Sequence, residues 1–273
     1  MDTTRRSALA RFGAERRLIV ASLAALTLVA WTYLWLLAAG MARGDMSLMG
    51  MSSGAAMPMQ DMLDMGPAPW TAATFGLMFL MWWIMMVGMM VPSSMPTILL
   101  YARVQHHWLP EQHATRHVAL LTAGYLLAWA AFGAIATATQ WALNASGLLA
   151  PMTLSVSAKI GAALFAATGL YQLSPLKNVC LRHCRSPAEF LAQHRRPGAA
   201  GAFLTGSHHG LYCVGCCWLL MALLFAGGVM NLLWVAALAV LVLLEKLVPY
   251  GHWLARASGV AMLGAAAYLL SAG

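Results

Sequence analysis

The segment Gly210-Leu-Tyr-Cys213-Val-Gly-Cys216-Cys217-Trp-Leu-Leu-Met-Ala-Leu-Leu-Phe-Ala-Gly227-Gly228-Val-Met-Asn231 continues through Leu232-Leu-Trp-Val-Ala-Ala-Leu-Ala-Val-Leu-Val-Leu-Leu-Glu245-Lys246-Leu-Val-Pro249. Its 40 residues carry charge only at Glu245 and Lys246. As one helix it would be about 60 Å long, twice the ~30 Å of a bilayer's hydrocarbon. Gly227-Gly228 and Asn231 offer a turn near its middle. The stretch therefore reads as a tight hairpin of two membrane-spanning helices.

The rest of the chain agrees. Of 273 residues, 61% are hydrophobic and 9% charged, against about 45–50% and ~25% in soluble domains. So few charges could not cover a soluble particle of this size. That excludes a soluble enzyme, a disordered chain and a secreted disulfide scaffold. Further apolar runs cover Leu18–Ala39, Trp70–Val91, His117–Ala138, Leu154–Leu173 and Trp253–Leu270. The first is longer than the 7–15-residue core of a signal peptide, and so reads as an uncleaved anchor. The expected fold is all-α, a polytopic integral membrane helical bundle of about seven transmembrane helices.

The net charge of +8 reports orientation rather than affinity for nucleic acid. With the N-terminus cytoplasmic, the inner segments are the N-terminal tail, 102–116, 175–208 and 246–256. They hold 14 of the 16 Lys and Arg residues. An odd number of spans leaves the C-terminus outside. The expected organisation is a basic tail (1–17), an anchoring helix (18–40), a Met-rich outer loop (41–69) and a metal-binding bundle (70–273). No nucleotide-binding glycine motif and no Ser/His/Asp arrangement stands out, so no enzymatic activity is expected.

Methionine occurs 20 times, and 15 of these lie between residues 41 and 95. The outer loop contains Met46, Met49, Met51, Met57, Met59, Met62 and Met65. Thioethers are soft ligands that select Cu(I). M-x-M and M-x-x-M spacings let neighbouring sulfurs converge on one ion, and Asp61 and Asp64 attract cations. The alternatives are a flexible apolar filler or an amphipathic loop on the membrane surface. The second span continues the pattern. Met78, Met81, Met85 and Met89 share one helix face, and Met86, Met90 and Met95 lie nearby. Ordinary packing is the alternative there. Pro92 and Pro96 interrupt the end of this helix and free the carbonyls of Gly88 and Pro92. This reads as a broken, ligand-lining helix or a simple kink.

The five cysteines form two groups. Cys180 and Cys184 lie in the inner loop, where Arg182 and Arg185 would help ionise them. Cys213, Cys216 and Cys217 share one face of a helix. If that helix starts near Gly210, its N-terminal dipole would favour the thiolates. A soft-metal cup, a redox-active dithiol and a structural zinc site are all compatible with such thiols. Glu245 is a ligand, a proton acceptor or half of a snorkelling pair with Lys246. Gln172 could bond between helices. Asn231 serves the turn, and His183, His208 and His209 are auxiliary ligands or solvated loop residues.

Five motifs lie between about residues 70 and 250. They are Met85-Met-Val-Gly-Met-Met-Val-Pro-Ser-Ser-Met-Pro96, Tyr171-Gln-Leu-Ser-Pro-Leu-Lys-Asn-Val-Cys-Leu-Arg-His-Cys-Arg-Ser-Pro187, Gly210-Leu-Tyr-Cys-Val-Gly-Cys-Cys-Trp218, Gly228-Val-Met-Asn231 and Glu245-Lys246. Together they resemble a bacterial family described as predicted metal-binding integral membrane proteins, a domain of unknown function. The resemblance implies a multi-spanning helical protein of the bacterial cytoplasmic (inner) membrane and a metal, with copper the usual expectation. It implies no particular activity. The Met-rich loop lies outside these motifs.

The combined expectation is a protein that takes Cu(I) at thioether sites outside and passes it inward to the cysteines. Zinc is the second metal to consider. The expected partners are membrane lipid, the metal ion, and a copper chaperone or membrane metalloenzyme. A thiol–disulfide oxidoreductase and an assembly subunit of a metalloenzyme are the competing classes.

Overall fold

A computed structural model describes residues 2–42, 70–150 and 155–272. The elements in chain order are α1 (Asp2–Ala42), α2 (Ala72–Trp108), α3 (Glu111–Ala145), β1 (Leu149–Ala150) and β2 (Ser155–Val156). There follow α4 (Ala158–Leu173), α5 (Pro175–Arg185), α6 (Pro187–His194), α7 (Gly198–Ala222), α8 (Leu224–Gly227), α9 (Leu232–Leu247) and α10 (Gly251–Ala272). Apart from the two-residue antiparallel pairing of β1 with β2, the described fold is helical.

The run 210–249 turns where expected, but only its first arm, within Gly198–Gly227, is long and apolar enough to cross a membrane. Gly228 takes φ 87°, a left-handed conformation that glycine adopts without steric cost. The Asn231 side chain then accepts the Trp234 amide at 3.2 Å and caps α9. One expectation about this run fails. α7 begins at Gly198, directly after Pro197, and not near Gly210. Cys213 is therefore four turns into the helix, and the N-terminal dipole, confined to the first turn, does not act on it.

Of the two readings of the prolines in α2, the break is not seen. α2 continues through Pro92 and Pro96 to Trp108. Pro92 cannot donate to Gly88, but the Trp31 indole of α1 does so at 3.3 Å. The hydroxyls of Ser93 and Ser94 bond back to the carbonyls of Met90 and Val91 at 2.8 and 2.9 Å. At Gly88 a borrowed donor thus replaces the one that Pro92 removes.

Five of these helices are long and apolar enough to cross a membrane: Arg16–Gly40, Ala72–His106, Gln112–Ala145, Gly198–Gly227 and Gly251–Ser271. α4 and α9, with 16 residues each, about 24 Å at 1.5 Å per residue, are not among these five. Large apolar side chains such as Val29, Ile135, Leu170, Leu211 and Val260 face outward. Such a surface suits lipid rather than water.

The helices assemble in pairs: α1 on α2, α2 on α3, α3 on α7, and α4 on α10. The α3–α7 seam is the closest. A β-carbon at Gly206 would overlap the Leu121 carbonyl, and one at Gly124 would overlap that of Phe203. Small residues allow this backbone approach, as they do where helices pack within membranes. Gly206→Val should therefore lower thermal stability in detergent by at least ~1–3 kcal/mol, the usual cost of overpacking. Gly76→Ala, whose β-carbon meets open space, should leave the melting temperature unchanged.

Candidate metal centre

α7 presents Cys213, Cys216 and Cys217 on one buried face. Opposite them α2 brings Met90, α5 brings Cys184, α3 brings Tyr125 and α9 brings Lys246. All of these side chains are buried. Cys180 and Cys184 stand on a helix rather than in a loop. The two cysteine groups meet through Cys184 and Cys216, whose sulfurs are 3.9 Å apart. Cys217 Sγ lies 4.0 Å from Met90 Sδ. Two sulfurs each ~2.3 Å from a shared metal and this far apart would subtend about 115–120°. Each pair therefore matches the spacing of two ligands on one soft ion.

The thiols of Cys216 and Cys217 donate to the Cys213 carbonyl at 3.1 and 2.9 Å. Cys213 Sγ is engaged differently. Lys246 Nζ donates to it at 2.9 Å, and to Ser93 Oγ at 3.2 Å, while lying 4.0 Å from Met90 Sδ. The Tyr125 hydroxyl donates to the Met90 carbonyl at 3.0 Å and stands 3.1 Å from Cys213 Sγ. Among the described residues, no three His, Cys, Asp or Glu side chains are arranged to hold a metal ion. The donor set that fits a soft ion is therefore mixed, with the Met90 thioether beside the thiols.

Cys180 is half-buried, its sulfur set against Gly215 of α7. Burial raises its thiol pKa above the ordinary value, with Cys216 adding to the effect. Hydrogen bonding to Cys213 and Cys216, then burial, raises that of Cys184 well above it. The expected ionisation of this pair by arginine is not seen. Arg185 instead donates to the carbonyls of Val248 and Pro249, tying α5 to the end of α9.

Met81, Met85 and Met89 are buried in the same apolar cluster as the cysteines, as is Met78, whose sulfur accepts Gln140 Nε2 at 3.6 Å. Met95 packs instead with the second cluster, around Val91 and Tyr101. Met46, Met49, Met51, Met57, Met59, Met62 and Met65 lie outside the described residues. The histidines beside the cysteines are packed, not solvated loop residues. His183 stacks on Tyr212 at 4.1 Å, and His209 is buried against Tyr125 with its Nδ1 unpartnered.

Glu245 and Lys246 do not form a snorkelling pair. Successive residues of a helix point about 100° apart, and these two serve different clusters. Glu245 is 1% exposed and bonds Lys177 Nζ at 2.6 Å and Gln172 Nε2 at 2.9 Å. Gln172 reaches Ser258 at 2.9 Å and accepts from Lys177. The network joins α4, α5, α9 and α10. Lys177 stood in a motif read as an inner loop, Ser93 stood in a quoted motif with no role assigned, and Tyr125 carried no sequence signal. Glu245 and Lys246, charges at the end of an apolar run, were conspicuous, and Gln172 was noted as a bond between helices.

Lys177→Met would strand the buried Glu245 carboxylate, a defect that costs ~3–5 kcal/mol. A large drop in thermal stability is expected, with most of it recovered in Lys177→Met/Glu245→Leu.

A family model described as PpoB2, a copper chaperone, matches residues 79–269. That stretch contains all five cysteines, Met81 to Met95, Lys177, Glu245 and Lys246, and leaves out the Met-rich loop. No curated protein and no solved structure matches the chain. With well over half of its length matched, and with soft sulfur donors gathered in the matched part, the chain belongs to the PpoB2 copper-chaperone family.

Proposed function

We propose that this protein binds Cu(I) at the buried cluster of Met90, Cys184, Cys213, Cys216 and Cys217, and hands it on within or across the bacterial inner membrane. The observation that carries this reading is the convergence of thiols and a thioether from α2, α5 and α7 in one buried place. Soft sulfur donors select Cu(I) over the harder divalent ions.

The buried stripe of Met78, Met81, Met85 and Met89 ends beside this cluster. Thioethers hold copper more weakly than thiolates. Copper caught by the Met-rich loop would therefore pass down the stripe to a tighter site, and the affinity gradient would need no energy source of its own. In this reading α4 and α9 cross the membrane together with their longer neighbours, giving seven spans with the N-terminus inside and the C-terminus outside. The protein acts as a carrier, not an enzyme, and gives its copper to a membrane metalloenzyme or a second chaperone.

The 3.9 Å between Cys184 and Cys216 also suits a dithiol that cycles with a disulfide. The experiments below separate the two readings. The Cys213→Ser/Cys216→Ser/Cys217→Ser protein should lose stoichiometric Cu(I) binding in detergent, measured by metal analysis after gel filtration. Unchanged copper content would sink the site assignment. Turnover of a model disulfide by the wild-type protein, without copper binding, would favour the redox reading. For the topology, reporter fusions at the two termini should report opposite compartments.

A further inference from the structure

Lys246 is a buried cation with a choice of neighbours. The adjacent Glu245 is turned away and already paired with Lys177 at 2.6 Å. Gln172 and Ser258 fill the remaining valence of that carboxylate. The Lys246 charge is therefore not neutralised along its own helix. Its ammonium points into the sulfur cluster, 2.9 Å from Cys213 Sγ and 4.0 Å from Met90 Sδ, with Ser93 Oγ at 3.2 Å. The Tyr125 hydroxyl, its ring stacked on His209, stands 3.1 Å from the same Cys213 sulfur.

We infer that Lys246 is the residue that sets the charge of this site, and that it thereby selects a monovalent over a divalent soft metal. The inference rests on the copper reading above and adds the origin of its selectivity. Charges in so buried a place must balance. Metal-bound cysteines are thiolates. A Cu(I) held by two of the four cysteines as thiolates, with the neutral Met90 thioether as a further donor and the other two cysteines left as thiols, carries a net charge of −1, which the Lys246 ammonium cancels. Two thiolates with a divalent ion are already neutral, and the ammonium then leaves an uncompensated buried positive charge. Unbalanced charge in a low-dielectric interior is strongly unfavourable. The fixed cation therefore favours Cu(I), or its analogue Ag(I), and opposes Zn(II) at the same sulfurs. Lys246 is not a ligand, since an ammonium has no lone pair to give. It acts through Cys213, as a specificity-determining residue.

The test uses the full-length protein in detergent, with Cu(I) and Zn(II) affinities each measured by competition with a chromophoric chelator. Lys246→Met should weaken Cu(I) binding while leaving Zn(II) unchanged or tighter, shifting the Cu(I):Zn(II) preference by at least about tenfold, because two charges this close interact strongly even in partly screened surroundings. Lys246→Gln keeps a donor for Cys213 without the charge and should shift the preference in the same direction. Lys246→Arg keeps the charge and should retain the wild-type preference to within about threefold. Equal loss of both metals in the Met and Gln variants, or no change in the ratio, overturns the inference while the copper reading stands. Failure of the wild-type protein to bind Cu(I) overturns both. A merely structural lysine would lower both affinities together, so the ratio is the discriminating readout.

Discussion

A charge buried away from water must find its counter-charge within the protein, and the neighbouring residues Glu245 and Lys246 make this requirement organise the bundle. Glu245 takes Lys177 from α5 and Gln172 from α4, while Lys246 reaches across to Ser93 of α2 and Cys213 of α7. One turn of α9 thus ties four other helices together. None of these contacts can slide without exposing an uncompensated charge to a medium of low dielectric. The sulfur cluster is held at the same point, so an electrostatic constraint helps to fix where its helices meet.

Packing around this point works by close approach on one side and by borrowed hydrogen bonds on the other. Glycines at 124, 206 and 210 bring α3 against α7 closely enough for the Tyr125 hydroxyl to reach both Met90 and Cys213. On the other face, Trp31 supplies the donor that Pro92 removes, so α2 stays helical through the level of the cluster. Met90 is therefore carried on a rigid helix and not on a frayed end. That is the condition for a thioether to be a defined ligand and not a flexible filler.

The sequence reading came closest where a single helix decides the matter. Gly227-Gly228 and Asn231 announced the hairpin, because a positive φ and a helix cap are local requirements. The common face of Cys213, Cys216 and Cys217 followed from helical spacing alone. The reading failed where distant residues supply what a local rule says is missing. Proline at 92 left a break in α2 as one of two readings, but an indole 57 residues from Gly88 made good the lost donor. Arg182 and Arg185 looked like partners of Cys180 and Cys184, but Arg185 bonds the carbonyls just past the end of α9 instead. The start of α7 was misplaced because the polar residues Ser207, His208 and His209 resemble a loop, though they are buried or half-buried by the packing of α3 and α6.

By itself the sequence determined that this is a helical chain suited to a membrane, where its soft donors are concentrated, and which donors share a face. Those properties depend on composition and on the 3.6-residue period, and both are written in the chain. Only the tertiary structure decided that the two cysteine groups meet, that Met90 joins them while Met95 does not, and that Lys177 neutralises Glu245. It also decided that Lys246 is left to face the sulfurs. These are relations between residues 30 to 160 positions apart, fixed by which helices pack together and by the cost of leaving a buried charge alone.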